Sequence, residues 1–239
     1  MNQGTYPLAA AMINQLNRVD TIANNLANAN TTGYKQTGLT EGTFNNYLDK
    51  ATENNRATTK INVVTNNVPK LNSTYINPEM GSLVQTGDTL DFALKHNNAF
   101  FKVQNENGDS FLTRDGSFKV VNNMLVTGNN NPVLSVDNEP IQVEDGVDFN
   151  EVIGVFLTDF QNVEKVGNNS FKVKNAQDVL PVEDNSEYLL QGTLEKSNVN
   201  SITAMVALIE AHRSFAQSQK AVKGIDEINA KVIEKLGVK

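Results

Sequence analysis

The chain has 239 residues, 39% of them hydrophobic, enough for two modest domains or one extended molecule of several parts. Its formal net charge of −7 leaves no basic surface for gripping nucleic acid or anionic lipid, and those partners are set aside. Without cysteine it has no disulfides or thiolate metal sites; no apolar run approaches the roughly 20 residues that span a bilayer, and Met1–Ala11 lacks the basic stretch of a cleaved signal peptide.

Pro7 suits the first turn of a helix. Beyond it Ala9, Met12, Leu16, Val19, Ala23 and Leu26 alternate at spacings of three and four, which draws one apolar line along that helix. The helix runs into Asn24, Asn25, Asn28 and Asn30, and Gly33 offers a left-handed residue for the stop, so residues 24–35 read as a helix end and a turn. Residues 36–80 are rich in Thr and Asn, with weak alternation at Ile61–Val64 and prolines at Pro69 and Pro78. They read as an extended linking segment of short strands or a hairpin, supported by partners rather than by a core of its own.

From Gly81 the texture changes. Leu90, Phe92, Ala93 and Leu94 precede Phe100, Phe101 and Val103; Asn107-Gly108 predicts a hairpin turn before Phe111, and Asp115-Gly116 predicts another before Phe118 and Val120. Short strands continue through Leu125, Val133–Val136, Ile141–Val143, Val152–Leu157 and Phe171–Val173, which makes 81–184 an all-β domain. Residues 185–196 bring the chain back as a return strand, Tyr188–Leu194, with a break at Gly192.

The tail, 197–239, is a long helix. Ala204, Leu208, Ala211, Phe215, Ser218, Val222, Ile225, Asn229, Val232 and Leu236 form a heptad-like seam, and Ile202, Val206 and Ile209 widen the apolar surface in its first half, so several neighbours must cover it. Ser197 or Asn198 can cap its start, and the polar Asn229 can fix register. The fold class is therefore α+β: paired N- and C-terminal coiled-coil-like helices, an extended linking segment and an inserted all-β domain. Met12, Leu16, Val19 and Leu26 on the first helix, with Leu208, Phe215, Val222, Ile225, Val232 and Leu236 on the last, are the candidate subunit-contact residues. Outside an assembly each helix leaves much of its seam wet, so its order is expected to arrive with the partner.

Candidate chemistry is sparse. The two histidines, His96 and His212, are far apart and sit in no nucleophile setting. Asp145, Asp148 and Glu151 miss the glycine and acidic positions of a calcium loop and read as a solvated acidic turn. No phosphate-cradling glycine loop occurs, and no catalytic, cofactor or metal residue is assigned. Arg114, in a turn between aromatic strands, suits a structural clamp on a carboxylate or backbone carbonyls. The rival reading is a β-domain that binds glycan, which requires exposed aromatics; here the phenylalanines alternate as core.

Three stretches resemble known signatures. Asn24-Asn25-Leu26-Ala27-Asn28-Ala29-Asn30-Thr31-Thr32-Gly33-Tyr34-Lys35 resembles the N-terminal signature of bacterial flagellar rod and hook proteins. Leu194-Glu195-Lys196-Ser197-Asn198-Val199-Asn200 before the tail helix resembles their C-terminal signature, and Thr89–Leu94, Phe100-Phe101 and Thr113-Arg114-Asp115-Gly116-Ser117-Phe118 resemble the central block of the rod members. The resemblance covers almost the whole chain. It implies a structural axial subunit of the flagellar basal body, not an enzyme and without cofactors. Such a subunit is exported by the flagellar type III system without a cleaved signal peptide and assembled helically in the periplasmic rod with copies of itself and other rod proteins. The terminal helices would line the inner layer and the β-domain the outer one. The opening Tyr6-Pro7-Leu8-Ala9-Ala10-Ala11 is closer to the proximal-rod branch than to the distal-rod branch, and residues 40–80 depart from both.

Overall fold

The computed structural model describes residues 5–43, 69–144, 146–167 and 169–237. Ile61–Val64, most of the linking segment and Asp145 lie outside them. The chain forms two compact units: residues 27–36 with 76–199, and residues 1–26, 37–75 and 200–239.

The first of these is built on a six-stranded sheet. In chain order its parts are β3 (Leu83–Gln85), β4 (Phe92–Leu94), β5 (Ala99–Gln104), β6 (Ser110–Thr113), β7 (Lys119–Val121), β8 (Met124–Val126), a single helical turn α2 (Phe149–Val152), β9 (Val155–Leu157), β10 (Val163–Lys165), β11 (Ser170–Val173), β12 (Leu180–Pro181), β13 (Leu189–Gln191) and β14 (Thr193–Glu195). The sheet runs β10-β11-β6-β5-β9-β12, and the pairs in it are antiparallel. Strand β5 shows why two cores form. Successive side chains point to opposite faces, so Ala99, Phe101 and Val103 enter one apolar cluster with Phe92, Phe118 and Ile153, while Phe100 enters another with Phe156, Phe160 and Phe171. In the second cluster Phe100, Phe160 and Phe171 meet edge to face at 5.0–5.9 Å, an arrangement that suits the ring quadrupoles.

Asn107-Gly108 does sit between the paired strands β5 and β6. Asp115-Gly116 does not make a hairpin. Asp115 turns the chain on itself by accepting from the Ser117 amide and hydroxyl, and the chain then crosses to the Phe92 strand, where the Phe92 amide donates to the Gly116 carbonyl. The hairpin is one turn later, at Asn122 and Asn123, whose φ values of 52° and 60° give the left-handed pair that a tight β7–β8 connection requires. The expected single return strand is two: Gly192, at φ 72°, separates β13, which pairs with β4, from β14, which pairs with β3.

The second unit contains α1 (Thr5–Ala27), the two-stranded sheet of β1 (Thr37–Thr43) and β2 (Pro69–Ile76), whose last residue belongs to the first unit, and α3 (Ser201–Gly237). Helix α3 begins later than 197. Its cap is Asn200, whose side chain accepts from the Ile202 and Thr203 amides. Ala204 and Ala211 are buried and Leu208, Phe215, Ser218, Val222, Ile225 and Asn229 half-buried; Val232 is exposed, as is the second line, Ile202, Val206 and Ile209. The Leu236 side chain is not among those described. On α1 the sheltered line is Leu8, Met12, Gln15, Val19, Ile22 and Leu26, one position off the expected line at Ala9, Leu16 and Ala23. Leu8 and Ile22 bury more apolar surface than Ala9 and Ala23, and that gain places Gln15 inward and leaves Leu16 49% exposed.

Candidate functional site

Helix α1 stops at Ala27 in a turn where the Asn28 carbonyl accepts from the Thr31 amide. Asn25 acts as a strand partner, its amide and carbonyl groups bonding the Thr37 carbonyl and amide at 2.7 and 2.9 Å. Gly33 follows at φ 65°, and a Cβ there would lie 2.4 Å from the Arg114 carbonyl group, so glycine is required both for the turn and for the approach. The Gly33 amide donates to the Glu195 carbonyl at 2.7 Å.

These contacts deliver Lys35 into a buried ion cluster. Lys35 Nζ lies 2.8 Å from Glu195 Oε1 and donates to the Glu79 carbonyl at 2.6 Å. Glu195 Oε1 also accepts from the Gly81 amide at 3.0 Å. The other carboxylate oxygen, Oε2, accepts from Arg114 Nε at 2.8 Å and meets Nη2 at 2.6 Å. Arg114 Nη1 turns the opposite way and donates to the carbonyls of His96, Asn97 and Ala99 at 2.7–3.0 Å. Lys35 and Arg114 also lie over the Phe160 and Phe100 rings, each 5.9 Å from the centroid.

Two cations thus share one carboxylate with almost no water. Burial, and secondarily the Arg114 charge, lower the Lys35 ammonium from 10.5 to about 8 against the pull of Glu195. Burial lowers Arg114 as well, with Glu195 opposing. Beside the cluster, burial raises the Asp115 carboxyl against its bonds from Ser117, and lowers Lys165 to about 8. Lys165 Nζ sits 3.5 Å from the Tyr34 ring centroid and donates to the Lys35 carbonyl.

Asn198 completes the arrangement. Its carbonyl oxygen accepts from the Gln36 amide at 2.7 Å, and its amide group donates to the Asn77 and Glu79 carbonyls. With those bonds made it cannot cap α3. Ser197 accepts from the Val199 amide, and Val199 is buried. Thr113 donates to the Asn169 carbonyl, while Phe118 packs with Phe92 and Phe101. The three resembling stretches therefore meet around Glu195 through Gly33, Lys35, Arg114 and Asn198. Leu26 and Asn28 flank the turn, and Asn24 is exposed on α1. Sequence reasoning did not single out Glu79, Gly81, Lys165 or Asn169 for this junction. Only Gly81, where the composition shifts, carried a signal.

Charges enclosed by carbonyls, a carboxylate and aromatic rings hold backbone segments together, and that defines a structural junction rather than a reaction centre. The family comparisons agree. Residues 6–35 match the family described as "Flagella basal body rod protein", 96–161 the "Flagellar hook protein FlgE/F/G D1 domain", and 190–235 the "Flagellar basal body rod FlgEFG protein C-terminal". The chain is 30% identical to the flagellar basal-body rod protein FlgF of Rhizobium meliloti over 99% of both chains. It is 31% identical to FlgG of Borreliella burgdorferi, covering 95% of this chain and 96% of that one, and 25% identical to the flagellar hook-basal body complex protein FlhO of Bacillus subtilis over 99% of both. The chain belongs to the flagellar basal-body rod protein family, and it is a structural rod subunit, not an enzyme.

Proposed function

We propose that this chain is a proximal-rod subunit of the FlgF type, which packs helically with copies of itself and with other rod proteins, transmits torque and forms part of the export-channel wall. The observation that carries the branch is the end-to-end match to proteins named FlgF in Rhizobium meliloti and Mesorhizobium japonicum, 99% and 100% of both chains. In this reading 1–35 and 197–239 supply an inner helical layer, 36–80 a link between neighbours, 81–184 an outer domain and 185–196 the return. The chain reaches the periplasmic rod through the flagellar export apparatus. The exposed apolar residues Ile13 and Leu16 on α1, and Ile202, Val206 and Ile209 on α3, support contacts with neighbours. The 31% identity to a protein named FlgG supports a second reading, the distal rod. A cryo-EM map of purified basal bodies from the source cell tests both: density between the export gate and the distal rod supports the FlgF type, density in the distal rod the FlgG type, and a rod complete without the chain overturns the axial reading.

A further inference from the structure

The loop 28–36 is tied to the rest of its unit from two sides: by Lys165 and Asn169, which donate to the Lys35 and Thr32 carbonyls, and by the segment 195–198. Its Gly33 and Gln36 amides are accepted by the Glu195 carbonyl and the Asn198 side chain, both in the segment that follows β14 or closes it. Its Lys35 ammonium is buried beside Arg114, and among the described residues Glu195 is the carboxylate that both cations touch. Take that carboxylate away and Arg114 keeps a buried charge without its counter-ion, while burial and the Arg114 charge drive Lys35 towards its neutral amine, so the ion-pair hold on the loop is lost. The strands β5 and β6 have their own ladder and their own phenylalanine clusters, to which Glu195 adds no atom; it reaches them only through Arg114, which donates to the Ala99 carbonyl and lies over the Phe100 ring.

We propose that residues 195–198 act as a latch on the loop 28–36, so that the loop which follows α1 in the chain closes fully only when the C-terminal segment has docked and opens without unfolding the six-stranded sheet. The inference does not rest on the place of the protein in the rod. In a chain whose C-terminal segment is not yet docked, the sheet forms and the loop stays open. The last part of the chain thereby controls the order of a segment near its beginning.

The test is residue-resolved amide exchange on the full-length protein and on its Glu195→Gln and Asn198→Ala variants. Glu195→Gln is expected to speed exchange of the Gly33 amide by roughly several hundredfold, in line with removal of one partner of a buried ion pair, while the β5–β6 amides beyond Ala99 keep their rates. Asn198→Ala leaves the ion cluster in place and is expected to free the Gln36 amide with the same sparing of the sheet; it decides the matter should Glu195→Gln fail to fold. Loop amides that exchange at the wild-type rate in the variants, or that rise only together with the sheet, overturn the latch.

Discussion

Gly81 and Gly116 are fixed by what lies against them. A Cβ on Gly81 would fall 1.7 Å from the Lys196 carbonyl oxygen, and one on Gly116 would fall 1.8 Å from that of Phe92. Both obstacles are backbone and cannot swing aside. Gly116→Ala is therefore expected to destabilise the β unit by about 3 kcal/mol, measured by urea unfolding, whereas Gly128→Ala, with open space around it, changes little. Lys35 offers a different test. The folded state releases its proton near pH 8 and the unfolded chain near 10.5, so between them the unfolded state holds more protons and stability must rise with pH. This contribution is present above about 10.5 and is lost as pH falls through about 8. Lys35→Met is expected to remove it, and a difference in unfolding free energy between the two proteins that stays flat across that window contradicts the assignment.

On helix α3 the two apolar lines have different surroundings and are expected to fail differently. Phe215 and Val222 lie on the sheltered line, while Ile202 and Ile209 are 73% and 54% exposed. Ile209→Asp removes an exposed side chain, so it is expected to shift the stability of the isolated protein by less than about 0.5 kcal/mol and yet to reduce incorporation into the rod, scored by motility and by basal-body composition. Val222→Asp is expected to leave the β unit folded and to abolish assembly. Motile cells carrying that variant would remove the seam from the contact set. The frame of α1 was only half legible in its residues, because Ala9 and Leu8, Leu16 and Gln15, and Ala23 and Ile22 are adjacent pairs that periodicity alone cannot rank. Volume ranked two of them, and Gln15 followed inward.

At the scale of the molecule, the two units differ in how they bury surface. The β unit closes two aromatic clusters and a paired ion site within itself, whereas α3 runs 37 residues with one sheltered line and exposed apolar residues from Ile202 to Ile233. A helix of that kind draws its stability from tertiary partners more than from propensity. Amide exchange on the dilute protein is expected to show strong protection in β5 and β6 and weak protection across Leu208–Leu236. Strong protection along the whole of α3 in the monomer would show that the helix needs no neighbour.

The sequence alone determined the sheltered line of α3 from Ala204 to Asn229, the β texture of the centre, the Asn107-Gly108 hairpin and the family, because each is written in local periodicity, turn chemistry or a contiguous stretch. It suited Arg114 to a clamp without naming what the clamp holds. That Glu195 is the carboxylate, that Lys35 is the second cation, that Asn198 bridges three backbone groups instead of capping a helix, and that Gly33 and Gly81 clear room for the backbone at Arg114 and Lys196 were decided by the tertiary structure. The reason is distance along the chain. Arg114 and Glu195 are 81 residues apart, and Lys35 and Glu195 160. No local pattern links them, and only the folding of the β unit brings their charges to within a hydrogen bond and removes the water that would otherwise screen them.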